Sequence, residues 1–211
     1  MSIFDTEGGL VADTGAIMER VTADLFPDDF NSTNDENDSF DNRSDDKGPE
    51  PEGIAIGEVD GHVIAFVGLE RIGGVMAFDV SDPTAPAYAG YVNTRDFAGD
   101  PLDFSAGDLA PEGLAFIAAA DSPTGSPMLA VGFEVSGTAR LFRIGTPCPG
   151  DLDGNGRVDS GDLGLLLGYW SGDRGGCGYG LCPGDLDGDG AVGPEDLAIL
   201  IAHWGVCGDE G

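Results

Sequence analysis

Two twelve-residue segments carry the strongest chemical signal in this sequence, and both are suited to binding calcium. Calcium takes about six to eight oxygen ligands, which a tight loop supplies from positions 1, 3, 5, 7, 9 and 12. The segments begin at Asp151 and Asp185, 34 residues apart, and position 6 is glycine in both. The expected ligands of the first loop are Asp151, Asp153, Asn155, Arg157, Asp159 and Asp162, and those of the second are Asp185, Asp187, Asp189, Ala191 and Asp196.

The two loops differ at one ligand position. Position 7 contributes a main-chain carbonyl, so the side chains of Arg157 and Ala191 are not needed there. At position 9, Asp159 can bind the ion directly or through water, whereas Gly193 has no side chain and leaves room for water. We therefore expect two calcium ions, with the second site the weaker one.

Each loop leads into the same amphipathic helix pattern. Apolar residues follow at i, i+3, i+4 and i+7 in both repeats, which predicts one buried helix face. They are Leu163, Leu166, Leu167 and Trp170 in the first helix, and Leu197, Leu200, Ile201 and Trp204 in the second. Proline precedes each loop, so no helix enters it. A single such loop could be a solvated acidic turn, but two copies with matching helices favour calcium binding. We expect the tryptophans to close a small core rather than to form a docking surface.

Residues 148–207 resemble a type I dockerin, because both consist of two calcium loop–helix repeats. The resemblance implies a small α module that binds a cohesin-like or cell-surface partner. Dockerins dock through helix-face residues around loop positions 10 and 11, often Ser-Thr. Here these positions hold Ser160-Gly161 and Pro194-Glu195, a departure that bears on the identity of the partner.

All four cysteines lie in the last third of the chain, which indicates a small disulfide-bonded module in an oxidising compartment. Four cysteines allow three pairings. The dockerin-like arrangement implies Cys177–Cys182 and Cys148–Cys207, and the second bond would join the two ends of the module. Pairing within a repeat, free thiols, or a zinc site that includes His203 are the alternatives.

The charge balance excludes several classes of function. The 211 residues include 39 acidic and 9 basic side chains, a formal net charge of −30. Such a chain repels nucleic acid and anionic lipid. No apolar run approaches the roughly 20 residues of a membrane span, so we expect no membrane insertion. The first ten residues lack the features of a signal peptide. Since the cysteines indicate an extracellular or cell-surface protein, we expect the chain to be truncated at its N-terminus.

A change in composition near residue 147 predicts two domains, 1–146 and 147–211. The first begins with a helical pattern at Ile17, Val21 and Leu25, followed by an acidic loop over 28–52. Short segments rich in β-formers then predict strands. These segments are 54–59, 62–69, 75–80, 89–92, 114–120, 128–133 and 138–144.

The strands form an internal repeat. Residues 51–55, PEGIA, recur as PEGLA at 111–115, and VGLE at 67–70 recurs as VGFE at 131–134. A repeat of three or four strands predicts β-propeller blades. The runs SDDKGPEPEGIAIG, AFVGLERIGGVMAFDVSDP and GFEVSGTARLFRI resemble the C-terminal part of the choice-of-anchor I family, secreted bacterial propeller proteins. The fold class is therefore a β-rich part of about two blades, an incomplete propeller, plus the dockerin-like module.

These features favour a non-catalytic chain. We interpret it as a calcium-dependent attachment module on a propeller fragment, with a link to polysaccharide degradation. The alternative is a fragment of a phosphatase-like or phytase-like hydrolase whose active site lies in missing blades. The repeat glutamates could line such a site, but structural roles, at turns or beside Arg71 and Arg95, explain them more simply. They are Glu52, Glu70, Glu112 and Glu134.

Overall fold

The chain divides into two compact units, Met1–Ile144 and Gly145–Gly211. The computed structural model describes residues 1–144, 150–152, 157–170, 184, 186 and 191–206. Within these residues no helix is long and apolar enough to cross a membrane. Each unit is described by itself below.

Two antiparallel sheets form the body of the first unit, and in both the strands follow one another in chain order. The predicted β-rich character is confirmed, and all seven predicted strands are present. A small hairpin before the predicted helix was not anticipated. The elements are β1 Ser2–Phe4, β2 Leu10–Asp13, α1 Ile17–Leu25, then β3 Pro51–Val59, β4 His62–Leu69, β5 Val75–Asp79 and β6 Ala87–Val92 in the first sheet, and β7 Pro111–Ile117, β8 Met128–Phe133 and β9 Thr138–Arg143 in the second.

The two sheets pack face to face around an apolar core. Phe66 and Val75 of the first sheet meet Leu129, Val131 and Phe133 of the second. β3 approaches β7 closely because glycine faces the second sheet: a Cβ atom at Gly57 would overlap the ring of Phe116. Substitution of this glycine would force the sheets apart, since packed interiors have little free space.

The acidic segment before β3 is irregular, as predicted. About half of its residues are exposed, and the others are buried or half-buried. It ends at Glu50, because β3 already begins at Pro51. Three polar residues of this segment, Asn31, Ser32 and Asn34, are buried. Asn34 donates a hydrogen bond to the carboxylate of Glu70 at 3.1 Å, which ties the segment to the end of β4.

Glu50 is the main anchor of this segment. Its buried carboxylate lies 2.6 Å from the guanidinium of Arg43, 3.1 Å from that of Arg71 and 3.2 Å from Nζ of Lys47. Burial alone would raise the pKa of Glu50, but the hydrogen bonds from these three cations outweigh it and lower the pKa to about 2. No pattern in the sequence singles out Glu50 among the neighbouring acidic residues.

The structural role expected for the repeat glutamates holds for Glu70. This side chain is buried and lies 3.2 Å from Nη1 of Arg71, and burial raises its pKa. Its counterpart Glu134 and the other pair, Glu52 and Glu112, are exposed.

Arg95 does not pair with a repeat glutamate as suggested. Its guanidinium donates to the main-chain carbonyls of Thr33 at 2.7 Å, Arg71 at 3.1 Å and Glu36 at 3.3 Å. It also lies over the ring of Phe97, 4.5 Å from the centroid. A buried guanidinium needs several acceptors, and the turns of the acidic segment supply carbonyls in a suitable arrangement.

The described residues of the second unit form two short helices and a pair of two-residue strands. These are β10 Arg157–Val158, α2 Ser160–Gly168, α3 Pro194–Ala202 and β11 Gly205–Val206, with β10 antiparallel to β11. Val158, Leu166, Val192 and Leu200 are fully buried and form its core.

The prediction that the apolar stripe of each helix is buried is wrong for half of its members. Leu163 and Leu197 pack against this core as expected, whereas four other members of the stripe are exposed. Each helix has nine residues and meets the core through its first two turns, so the later stripe positions extend beyond it. The exposed residues are Leu167, Trp170, Ile201 and Trp204. The expectation that the tryptophans close the core is therefore corrected.

We predict that the Glu50 cluster makes the stability of the first unit depend on pH. A carboxylate with a lowered pKa stabilises the fold above its unfolded value near 4.5, and this contribution is lost as the pH falls toward about 2. Glu50→Gln should lower the free energy of unfolding at pH 7 by about 2 kcal/mol. The difference from wild type should shrink below pH 4.5. Urea unfolding followed by far-UV circular dichroism measures both quantities.

The matched control for this prediction is Glu112→Gln, which removes the same charge from an exposed position. It should change the free energy of unfolding little at any pH. A Glu50→Gln effect that stays constant from pH 7 to pH 2.5 would contradict the ionic role of Glu50.

Candidate metal centre

A buried carboxylate closes the first candidate loop. Asp162, at position 12, is fully buried in the first turn of α2. Its Oδ1 accepts a hydrogen bond from the N–H of Leu152 at 2.7 Å, and its Oδ2 accepts one from the N–H of Asp159 at 2.8 Å. One side chain thus joins position 2, position 9 and the helix. Carboxylate oxygens are among the ligands that calcium prefers.

The second loop repeats this arrangement atom for atom. Asp196 is 1% exposed, and its Oδ1 accepts from the N–H of Leu186 at 2.6 Å. Its Oδ2 accepts from the N–H of Gly193, also at 2.6 Å. The donors of these four hydrogen bonds are main-chain groups, so this part of the geometry depends on the fold of each loop. The same hydrogen bonds recur in both repeats, which indicates that the position-12 carboxylate closes each loop.

The two helices start differently. Asp159 is the N-cap of α2, and its Oδ1 accepts a hydrogen bond from the N–H of Gly161 at 2.8 Å. Together with the bond from its own N–H to Asp162, this gives a reciprocal cap. Gly193, the N-cap of α3, has no side chain, so α3 keeps half of the arrangement and gains Pro194 at its first position. The sequence analysis considered Asp159 only as a ligand and missed this capping role.

The remaining described ligand candidates lie next to the core. Asp151 and Ala191 are half-buried, and Arg157 is exposed and part of β10. Position 8 of each loop is a fully buried valine, Val158 or Val192, so the carbonyl at position 7 is held next to the packed core of the unit. Oxygen donors of this kind fit a hard divalent cation such as calcium.

Several predicted site residues lie outside the described residues. They are the ligand candidates Asp153, Asn155, Asp185, Asp187 and Asp189 and the four cysteines Cys148, Cys177, Cys182 and Cys207. Among the residues that the structure describes, no group of three or more His, Cys, Asp and Glu side chains forms a metal site.

Comparisons with known proteins identify two domains in this chain. The model of the type I dockerin domain matches residues 149–203, which contain both candidate loops and both helices. The model of the choice-of-anchor I domain matches residues 1–83. Both predicted resemblances are therefore confirmed, although the choice-of-anchor I match ends at residue 83 and does not include the run GFEVSGTARLFRI. Type I dockerin domains bind calcium and cohesins and are not catalytic, and both domains indicate an extracellular or cell-surface protein.

The chain is also similar to one curated protein, Gigasin-3a of Magallana gigas. The two are 31% identical over 144 residues, which is 64% of this chain and 51% of Gigasin-3a. The chain thus spans about half the length of this relative. No solved structure matches.

We predict that position 12 is essential for each site. Asp162→Asn keeps the size of the side chain but halves its carboxylate oxygens and removes the charge, and Asp196→Asn does the same in the second loop. Each variant should reduce the stoichiometry measured by isothermal titration calorimetry from two calcium ions to one, or weaken one site by about tenfold or more. Tryptophan fluorescence gives an independent readout, because both tryptophans lie in the second unit.

The control is Asp121→Asn, a charge-matched change at an exposed position of the first unit. It should leave both calcium sites intact. Wild-type stoichiometry and affinity in both position-12 variants would show that these carboxylates are not ligands.

Proposed function

We propose that residues 147–211 form a calcium-dependent docking module, and that it attaches a secreted β-propeller-type protein to a cohesin-like or cell-surface partner. The ligands are those named above, with two calcium ions per module. The observation that carries this proposal is the pair of buried carboxylates, Asp162 and Asp196, which close two equivalent loops with the same main-chain hydrogen bonds. The dockerin match over 149–203 supports it.

Calcium would act on the helices through these same carboxylates. Asp162 is the third residue of α2 and Asp196 the third of α3, so a ligand at position 12 belongs at once to the loop and to the first helical turn. Negative side chains at a helix N-terminus also interact favourably with the helix dipole. Binding of the ion would hold each helix start against its loop, which couples metal binding to folding of the module.

The exposed half of the helix stripe is the candidate docking surface. Leu167 and Trp170 extend from the end of α2, and Ile201 and Trp204 from the end of α3. Exposed tryptophan is enriched among the residues that dominate binding energy at interfaces. These four side chains are apolar in a chain whose net charge is −30, which favours an apolar partner surface over a basic one.

We predict calcium-dependent binding of the full chain to an immobilised type I cohesin domain, measured by surface plasmon resonance. Binding should be lost in chelator, and Trp170→Ala and Trp204→Ala should each weaken it by roughly tenfold or more. Leu102→Ala is the control, because this exposed leucine lies in the first unit. Absence of binding while tryptophan fluorescence reports calcium uptake would refute docking to cohesin without affecting the calcium sites.

We also propose the disulfides Cys148–Cys207 and Cys177–Cys182. Gly150 lies against α3, since a Cβ atom there would be 3.0 Å from the Cα of Leu200. β11, which ends next to Cys207, pairs with β10 of the first loop. The same Cβ atom at Gly150 would lie 3.3 Å from Cγ1 of Val158 in β10. The described residues nearest to Cys148 and Cys207 therefore both approach β10, as a bond between these cysteines requires.

This pairing predicts a specific peptide map. Cleavage after arginine and glutamate without reduction should link residues 144–157 to residues 196–210. The peptide 175–195 should contain its own disulfide. Mass spectrometry distinguishes this pattern from a link between 144–157 and 175–195, which would contradict the proposed pairing.

A further inference from the structure

The internal repeat in the first unit is structural as well as sequential. Ile54 of β3 is paired with Val67 of β4, and Leu114 of β7 is paired with Val131 of β8 in the same register. These are corresponding positions of the two PEG-containing repeats. Each residue of the second sheet therefore has a counterpart on the same face of the first sheet.

The contact between the two sheets is built from projecting and receding positions. Leu114 projects from β7 into a gap between Gly53 and Gly68, where added Cβ atoms would lie 2.6 and 3.2 Å from its Cδ1. Phe116, two residues further on, covers Gly57 and stacks on Phe66 with the ring centroids 6.1 Å apart. Apolar side chains of one sheet thus fill gaps that glycine opens in the other.

The projecting half of this contact recurs, unused, on the first sheet. The counterparts of Leu114 and Phe116 are Ile54 and Ile56, which are 54% and 60% exposed. We call Ile54 and Ile56 the isoleucine ridge. Exposed isoleucines side by side on the outermost strand of a sheet are unfavourable in water, since an edge strand with apolar side chains invites pairing with another chain.

The receding half recurs, also unused, on the second sheet. The counterparts of Gly53 and Gly68 are Gly113 and Gly132, and a Cβ atom at Gly113 would meet no atom within 4 Å. They lie in a shallow depression of about 530 Å³. We call this surface the glycine-lined face. Its exposed positions are Gly113, Ala115, Ala139 and Leu141, and its half-buried positions are Ala130 and Gly132.

The two unused surfaces also match in volume. Ile54 would take the place that Leu114 has in the existing contact, with glycine on both sides in either case. Ile56 would take the place of Phe116, which is a larger side chain. Phe116 covers Gly57 in the existing contact, whereas Ile56 would cover Ile117, the residue of the second sheet that corresponds to Gly57. The smaller volume of Ile56 relative to Phe116 is offset by the larger volume of Ile117 relative to Gly57, as in volume-conserving substitutions of protein cores.

We propose that a second copy of this chain inserts its isoleucine ridge into the glycine-lined face, and that copies associate head to tail. The contact between the two sheets of one chain is the template for the contact between chains. Such an interface is heterologous, since each copy offers a different surface to each neighbour. Repeating the rotation that relates the two sheets closes a ring of about two to four copies, because rings of this kind typically hold about four to eight sheets. This inference does not depend on calcium binding.

The test is sedimentation of the full chain with calcium at about 150 mM salt, where long-range repulsion between the acidic copies is screened. Wild type should sediment as an oligomer of two to four copies. Ile56→Glu disrupts the ridge and Leu141→Glu disrupts the face, and each variant should be monomeric up to about 100 μM. Leu102→Glu, the same kind of change at an 84% exposed loop residue, should sediment like wild type. Circular dichroism verifies that all variants fold.

Mixing the two monomeric variants tests the head-to-tail geometry directly. Ile56→Glu retains its glycine-lined face and Leu141→Glu retains its ridge, so an equimolar mixture should form a one-to-one dimer and no larger species. A monomeric wild type, as expected if these surfaces instead bind further sheets of a longer chain, overturns the proposal. Oligomers that persist in both variants overturn it too, because association then uses another surface. Failure of the mixture to dimerise overturns the head-to-tail arrangement.

Discussion

Scarcity of cationic side chains is the constraint on which the structure depends. With 9 basic residues against 39 acidic ones, most carboxylates must remain in water, and each buried one needs another source of positive charge. The first unit places four of its seven basic side chains at two points. Glu50 takes Arg43, Lys47 and Arg71, and Asp108 takes Arg140 together with hydrogen bonds from Thr94 at 2.8 Å and Thr138 at 2.7 Å. Both the Glu50 cluster and the Asp108 cluster join an irregular segment to a sheet. The few basic side chains therefore hold in place segments that have no strand pairing of their own.

The second unit meets the same constraint in a different way. The buried carboxylates of Asp162 and Asp196 accept hydrogen bonds from main-chain N–H groups at position 2 of each loop and at the N-cap of each helix. Dipoles of this kind stabilise a carboxylate but carry no net charge. Adjacent loop positions add further carboxylates, which in the proposed function are neutralised by calcium. A module of this size has a small core, so the ion would supply stability that apolar burial does not.

The sequence predicted the regular elements well, because strand and helix patterns are local. Contacts between distant segments were less accessible. The Asn- and Asp-rich composition of the acidic segment predicted turns, but it did not reveal that Asn31 and Asn34 are buried or that Glu50 anchors the segment. Likewise, helical periodicity placed Leu166 and Trp170 on one face but carried no information about the length of the surface against which that face packs. The ligand spacing found the position-12 carboxylates, whereas the capping role of Asp159 follows from backbone geometry at the helix start.

Both units are built by duplication, but the copies are related in different ways. In the second unit, equivalent residues such as Val158 and Val192, or Leu166 and Leu200, are all fully buried. Each repeat therefore buries the same residues as the other, and the contact between them is reciprocal. In the first unit, Leu114 is covered by the neighbouring sheet whereas its counterpart Ile54 is exposed. The two repeats therefore use different surfaces in their contact, and the contact is directional. A reciprocal contact satisfies both partners with two copies, whereas a directional contact always leaves one surface of each kind unused. Additional sheets are therefore needed to satisfy the first unit, whichever chain supplies them, while the second unit needs none and can present its exposed helix residues to a different partner.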